Sequence, residues 1–165
     1  MGATFDVYLQ THGLEPVREI NASPPSGPHT GTVLVVDDDE YVRRVLVEAL
    51  SQAGFKVLQA ADGSAGLAAF DDAADSIDLV VTDTVMPRLG GSAMVECMEN
   101  RLSATRYLVC SSYAAEAFGS EFFHDARHAY LPKPFRPVEF VEAVARLLEV
   151  PTERSGLSHA HSDHS

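Results

Sequence analysis

Tryptophan is absent from this sequence, cysteine occurs only twice, and 12 basic residues face 24 acidic ones. Each shortage excludes something. Cys97 and Cys110 have neither metal-ligand spacing nor a disulfide-dense context, and Cys110 closes the apolar run Tyr-Leu-Val-Cys, where a buried thiol is expected. A formal charge of −12 means that nucleic acid or an anionic membrane would have to be approached against long-range repulsion. The longest apolar runs are about five or six residues, against the roughly 20 that span a bilayer. The N-terminus also lacks the apolar core of a signal peptide. A cytoplasmic chain is expected, with no nucleic-acid partner and no direct membrane contact. What is present, 45% apolar residues in a chain of 165, suits one globular domain with tails.

Composition shifts near residue 31. Residues 21–31 (NASPPSGPHTG) hold three Pro, two Gly and two Ser, which reads as a linker. Ahead of it, residues 3–9 (ATFDVYL) alternate like a strand with no partner in the first 30 positions. After Val150 the segment 151–165 has no apolar period, reads as a disordered tail and leaves no room for an output domain. The expected layout is an N-terminal extension over 1–20, a linker over 21–31, a domain over 32–150 and the tail.

Within 32–150, strand and helix alternate five times. Thr32–Val36 (TVLVV) is a continuous apolar run of the kind buried on both faces of a parallel sheet. Residues 40–53 carry Val42, Val45, Leu46, Ala49 and Leu50 on one helical face, with Gly54 as the stop. The further units are 56–60 then 64–73, 79–82 then 92–101, 107–110 then 114–126, and 129–131 then 138–148. Five such units predict an α/β fold, a doubly wound five-stranded parallel sheet with right-handed crossovers. Such sheets place their chemistry at the carboxyl ends of the strands, where strand order reverses.

Carboxylates accumulate at that edge. The first strand runs out into Asp37, Asp38, Asp39 and Glu40, and the third into Asp83. Two carboxylates about 4 Å apart repel by about 4 kcal/mol at an effective dielectric near 20, so a convergent group raises its pKa values or recruits a cation. All-oxygen ligands with few protein donors favour Mg2+. Asp39 and Glu40 are expected to cap the first helix instead. The fourth strand ends in Ser111-Ser112-Tyr113 and the fifth in Lys133-Pro134-Phe135, which adds a hydroxyl and a cation at the same edge if the strand order is 2-1-3-4-5.

Four motifs in order, VVDDDE at 35–40, D-x-x-M-P-x-x-x-G from Asp83 to Gly91, CSSY at 110–113 and YLPKPF at 130–135, make the segment from about Thr32 to Val150 resemble a receiver (response regulator) domain of two-component systems. The resemblance implies the flavodoxin-like receiver fold with Asp83 as phosphoacceptor. It further implies Mg2+ on Asp37, Asp38, Asp83 and the Val85 carbonyl, with Asp37 acting through a metal-bound water. Ser111 and Lys133 would hold the phosphoryl oxygens, Tyr130 would be the aromatic switch that follows Ser111, and the Lys133–Pro134 bond would be cis. The implied partner is a histidine kinase or a histidine phosphotransfer protein. Residues 2–9 also resemble the closing strand of a histidine-kinase ATP-binding domain, which suggests the C-terminal receiver of a hybrid histidine kinase. A stand-alone single-domain regulator is the rival reading.

Where the family's pattern varies, this chain has apolar Val85 two residues after Asp83 and Tyr113 two after Ser111. Neither activates water, so a long-lived phosphoryl group is expected. Gly90 stands where relatives often have Asp or Asn. A Mg2+-dependent aspartyl phosphohydrolase is a different class of reading, since Asp37-x-Asp39 follows an apolar strand, but Tyr41 stands where that motif wants Thr or Val. His12, His29, His124 and His128 are expected at surface or linker positions, with His128 able to pack beside the fifth strand. His159, His161 and His164 offer no preorganised metal geometry. The helix over 138–148 exposes apolar positions that suit a possible homodimer.

Overall fold

The computed structural model describes residues 29–101, 104–112 and 114–150. The strand pattern over 3–9, most of the linker, Tyr113 and the tail from 151 lie outside the described residues. Five strands, β1 (Thr32–Val36), β2 (Lys56–Ala60), β3 (Leu79–Thr82), β4 (Arg106–Ser111) and β5 (His128–Pro132), alternate with helices α1 (Glu40–Gln52), α2 (Gly63–Ala73), α3 (Gly91–Glu99), α4 (Ala114–Phe118) and α5 (Pro137–Glu149). All pairings are parallel and the sheet order is β2-β1-β3-β4-β5, as expected.

The period-two alternation of strands divides the core in two. Val33, Val35, Leu79, Val81 and Leu108 face Leu46 and Leu50 of α1 and Phe140, Val144 and Leu147 of α5. Leu34, Val36, Val80 and Tyr107 face Phe70 of α2 and Met94, Val95 and Met98 of α3. Each fully buried side chain of this size stabilises the fold by about 1.5–3 kcal/mol, so the two slabs fix β1 and β3 rigidly at the centre. Cys110 lies in the first slab, free and buried, and burial pushes its thiol pKa up.

Two expectations are corrected. The fourth helix was expected over 114–126, but it stops at Phe118 because Gly119 turns left-handed at φ 77°, the usual way a helix is ended by glycine. A 3₁₀ turn at Glu121–His124 follows, and Phe118 packs on Phe122 with ring centroids 4.7 Å apart. His128 is neither a surface nor a linker residue. It opens β5 and is buried, stacked on Phe122 at 4.0 Å and edge-on to Tyr107, with Nε2 2.9 Å from Glu99 Oε1 and Nδ1 2.7 Å from the Phe122 carbonyl oxygen. Among the remaining helices the bounds move by one or two residues, and β4 and β5 are each longer than the sequence suggested.

Candidate functional site

Strand order reverses between β1 and β3, and their carboxyl ends form one crevice. β1 runs out into Asp37 and Asp38, β3 into Asp83, and one carboxylate oxygen from each of the three lies within 4.8 Å of the others. Asp37 is buried, Asp83 half-buried and Asp38 exposed, so the cup opens on the Asp38 side. Backbone groups hold it in shape. Asp37 Oδ1 accepts the Asp39 N–H at 2.9 Å, Arg43 Nη1 donates to the Asp37 carbonyl at 2.7 Å, and Asp83 Oδ1 accepts the Val85 N–H at 3.3 Å. Asp39 turns away and caps α1 as expected, accepting the Tyr41 and Val42 N–H groups.

Lys133 follows β5 and reaches back across the end of β4. Its Nζ donates to Asp83 Oδ2 at 2.8 Å and lies 3.5 Å from Asp37 Oδ2, and its bond to Pro134 is cis. Ser111, at the tip of β4, is buried, and its carbonyl accepts both the Lys133 N–H at 3.2 Å and the Tyr130 hydroxyl at 2.7 Å. Asp37, Asp38, Asp83 and Lys133 thus meet directly, Ser111 adjoins them, and Tyr130 is joined to Ser111 through its backbone. Val85 contributes its N–H, while its side chain is 76% exposed.

The electrostatics follow from the packing. Burial pushes the Asp37 carboxyl up, with a further push from the Asp83 charge, against the Asp39 N–H and the Lys133 cation. Burial pulls Lys133 down, but the Asp83 hydrogen bond and the two carboxylate charges outweigh it, and its pKa ends raised. The Lys133 cation pulls the Asp37 carboxyl the other way but does not offset its burial, and the ammonium sits closer to Asp83 than to Asp37. Two carboxylates at the 4.8 Å limit repel by about 3.5 kcal/mol at an effective dielectric near 20. Three anions against one cation, with oxygen the sole donor type and one side open, fit a small hard divalent ion that keeps part of its water shell.

Several contributors had no clear signal in the sequence. Thr84, buried beside Asp83, puts its Oγ1 2.6 Å from Ser111 Oγ and 3.4 Å from Asp83 Oδ1. Arg88, at φ 68°, reaches Asp62 at 2.6 Å and straps the loop after β3 to the start of α2, which Asp62 caps. Gly91 starts α3 so close to Asp83 that a Cβ there would run into the Asp83 carbonyl oxygen. Gly91 closes the D-x-x-M-P-x-x-x-G pattern, which is the trace this contact leaves in the sequence.

A flavodoxin-like sheet with an acidic cup, a hydroxyl at the tip of β4 and a lysine after β5 defines a phosphorelay receiver by its parts. Residues 33–145 match the response regulator receiver domain model, and the chain belongs to that family. It is a receiver domain of the two-component phosphorelay type. The sensor kinase CckA of Brucella abortus (strain 2308) is 32% identical over 120 residues, which are 73% of this chain and 13% of CckA. The transcriptional regulatory protein CpxR of Klebsiella pneumoniae subsp. pneumoniae (strain HS11286) is 35% identical over 118 residues, 70% of this chain and 48% of CpxR. The chain therefore spans less than half the length of either relative. Among solved structures, the receiver domain of the hybrid histidine kinase CckA superposes with a TM-score of 0.62 at 28% identity, covering 72% of this chain and all of that one. The chemotaxis response regulator CheY4 of Vibrio cholerae gives 0.63 at 27%, covering 72% and 99%. Among the described residues, no helix is long and apolar enough to cross a membrane.

Proposed function

We propose that this receiver accepts a phosphoryl group on Asp83 from the phosphohistidine of a kinase or phosphotransfer protein, and that the change is carried to β4 and β5 through Ser111 and Tyr130. The observation that carries the reading is the Lys133 ammonium 2.8 Å from Asp83 Oδ2 within the cup of Asp37 and Asp38. A carboxylate oxygen of Asp83 attacks phosphorus, the P–N bond to the donor imidazole breaks, and the imidazole leaves with that electron pair. A loose transition state of this kind needs positioning and charge neutralisation more than covalent help. Lys133 supplies one fixed positive charge beside the nucleophile, and Ser111 a hydroxyl for a phosphoryl oxygen. Asp37, Asp38, Asp83 and the Val85 carbonyl are the groups that would hold Mg2+, which when bound supplies the remaining charge neutralisation.

A dianionic group on Asp83 makes new charge-assisted contacts to Ser111 and Lys133, and drawing Ser111 inward opens space for Tyr130. A full reversal from 1:99 to 99:1 requires the phosphoryl group to favour the switched state by about 5.5 kcal/mol. The exposed side chains of Tyr41 and Val85 rim the cup, and a groove of about 340 Å3 lined by Tyr41, Val42, Val45, Pro134 and Phe135 runs beside Lys133. Such an apolar rim suits a protein donor. The likeness to CckA supports an origin in a hybrid histidine kinase, with a stand-alone regulator as the rival; the upstream reading frame separates the two. The phosphohydrolase reading loses support because Asp39, its second carboxylate, is engaged in capping α1.

The test is labelling by acetyl phosphate in Mg2+ of the wild type and Asp83→Asn. The expected result is one hydroxylamine-labile equivalent on the wild type and none on the variant. Label retained by Asp83→Asn overturns the assignment of the acceptor, and continuous turnover of an aryl phosphate would favour the hydrolase.

A further inference from the structure

One further side chain, Thr84, connects the nucleophile to the tip of β4. Thr84 lies between Asp83 and Ser111 and is itself buried, with its Oγ1 3.4 Å from Asp83 Oδ1 and 2.6 Å from Ser111 Oγ. A hydroxyl has one proton to give and two lone pairs to receive with. The carboxylate can only accept, so the proton of Thr84 turned to Asp83 leaves its lone pairs facing Ser111. The Ser111 proton then points at Thr84. Either hydroxyl of the pair can donate to the other; the Asp83 charge favours the order Ser111 hydroxyl to Thr84 hydroxyl to Asp83 carboxylate, in which it polarises both bonds.

Holding a phosphoryl oxygen demands that same Ser111 proton. A contact made in the resting state and given up on the way to the transition state raises the barrier by what it contributed. We infer that Thr84 is a positioning residue that restrains Ser111 in the resting receiver, and that its hydroxyl slows phosphorylation of Asp83. This role rests on Asp83 being the phosphoacceptor. Its effect passes through Ser111, so it disappears when the Ser111 hydroxyl is removed.

The experiment compares Thr84→Val, close to threonine in shape but without the hydroxyl, and Thr84→Ser, which restores it, each in the wild-type and Ser111→Ala backgrounds. The full chain is labelled with acetyl phosphate in Mg2+, and 1H–15N spectra of the unlabelled, Mg2+-free proteins report folding and the Ser111 amide. Thr84→Val is expected to label roughly two- to tenfold faster than wild type, the rate equivalent of one hydrogen bond. Thr84→Ser should return to about the wild-type rate, and Thr84→Val in the Ser111→Ala background should match Ser111→Ala alone. The Ser111 amide resonance should shift in Thr84→Val and return in Thr84→Ser. An unchanged or slower Thr84→Val, or an equal acceleration without the Ser111 hydroxyl, overturns the inference while leaving Asp83 as acceptor. A folded wild type that takes no label overturns the acceptor reading and the Thr84 role with it. If Thr84→Val does not fold, Thr84→Ala carries the same comparisons.

Discussion

Lys133 is the one cation paired with carboxylates of the acidic cup among the described residues, and replacing it by methionine keeps most of the aliphatic stem while removing the charge. At an effective dielectric near 20, its contacts of 2.8 and 3.5 Å to Asp83 and Asp37 are attractive by about 6 and about 5 kcal/mol, and the two carboxylates repel each other by about 3.5 kcal/mol at their 4.8 Å limit. Desolvation cancels most of the attraction, since the lysine side chain is only a quarter exposed. The net cost of Lys133→Met in Mg2+-free buffer is therefore about 2–3 kcal/mol, somewhat below that of breaking a fully buried pair. In urea this lowers the unfolding midpoint by about 1–2 M with an unchanged slope. Most of that cost is repulsion left unbalanced, so Lys133→Met combined with Asp83→Asn should recover more than half of it. The pH dependence has a definite sign. A lysine whose folded pKa is raised contributes its stability below its unfolded value, near 10.4, and loses it as pH rises through the folded pKa. The gap between wild type and Lys133→Met is then full at neutral pH and closes in strong alkali. A single variant within 0.5 kcal/mol of wild type, or a double variant no more stable than Lys133→Met, would refute this account of the cup.

Gly91→Ala should destabilise the fold by about 3 kcal/mol in chemical denaturation, because the new methyl meets the Asp83 carbonyl and one of the two must move. It should also slow acetyl phosphate labelling by displacing the acceptor. Asp125 is held below the usual carboxylate range, chiefly by its hydrogen bonds to the Arg127 guanidinium. Its stabilisation is present above pH about 4 and lost as pH falls through the lowered folded pKa. Asp125→Asn should cost at most about 1 kcal/mol at pH 7, with no difference from wild type in strong acid, as thermal melts across pH would show. With Val85 beside Asp83, the phosphoryl group should outlast the seconds scale in acid-quench decay, and Val85→Asn should shorten its life; complete decay of the wild type within seconds contradicts this.

The sheet was legible because β1 and β3 are continuous apolar runs bounded by polar residues, and the edge strand β2 is a short run that begins just after the helix stop at Gly54. β1, β2 and β3 begin and end where the sequence places them. The last two strands of the chain were harder. β4 starts at Arg106, a charged residue that is buried with its Nη2 on the Val150 carbonyl, and β5 ends at Pro132, which an edge strand tolerates because one side needs no ladder hydrogen bond. Neither property shows in a periodicity. α4 was over-extended because a lone glycine in an apolar stretch is compatible with a continuing helix, whereas Gly119 takes the left-handed turn that ends it. The acidic cup was legible because its members each end a strand, and topology alone then gathers them. Thr84 was not, because a threonine beside an aspartate reads as turn chemistry until Ser111, 27 positions away, is seen against it.

The carbonyl of Ser111 receives the Tyr130 phenol and the Lys133 amide at once. The last peptide of β4 therefore works as a common pivot: it cannot swing without tugging the ring in the middle of β5 and the backbone just past its end. β5 is one of the two edge strands of the sheet, laddered to β4 on one flank only, so that tug meets less resistance than it would at the centre. If the proposed switch runs through Ser111 and Tyr130, anything that clamps the free flank of β5 would act as a brake on it, however well the chemistry at Asp83 proceeds.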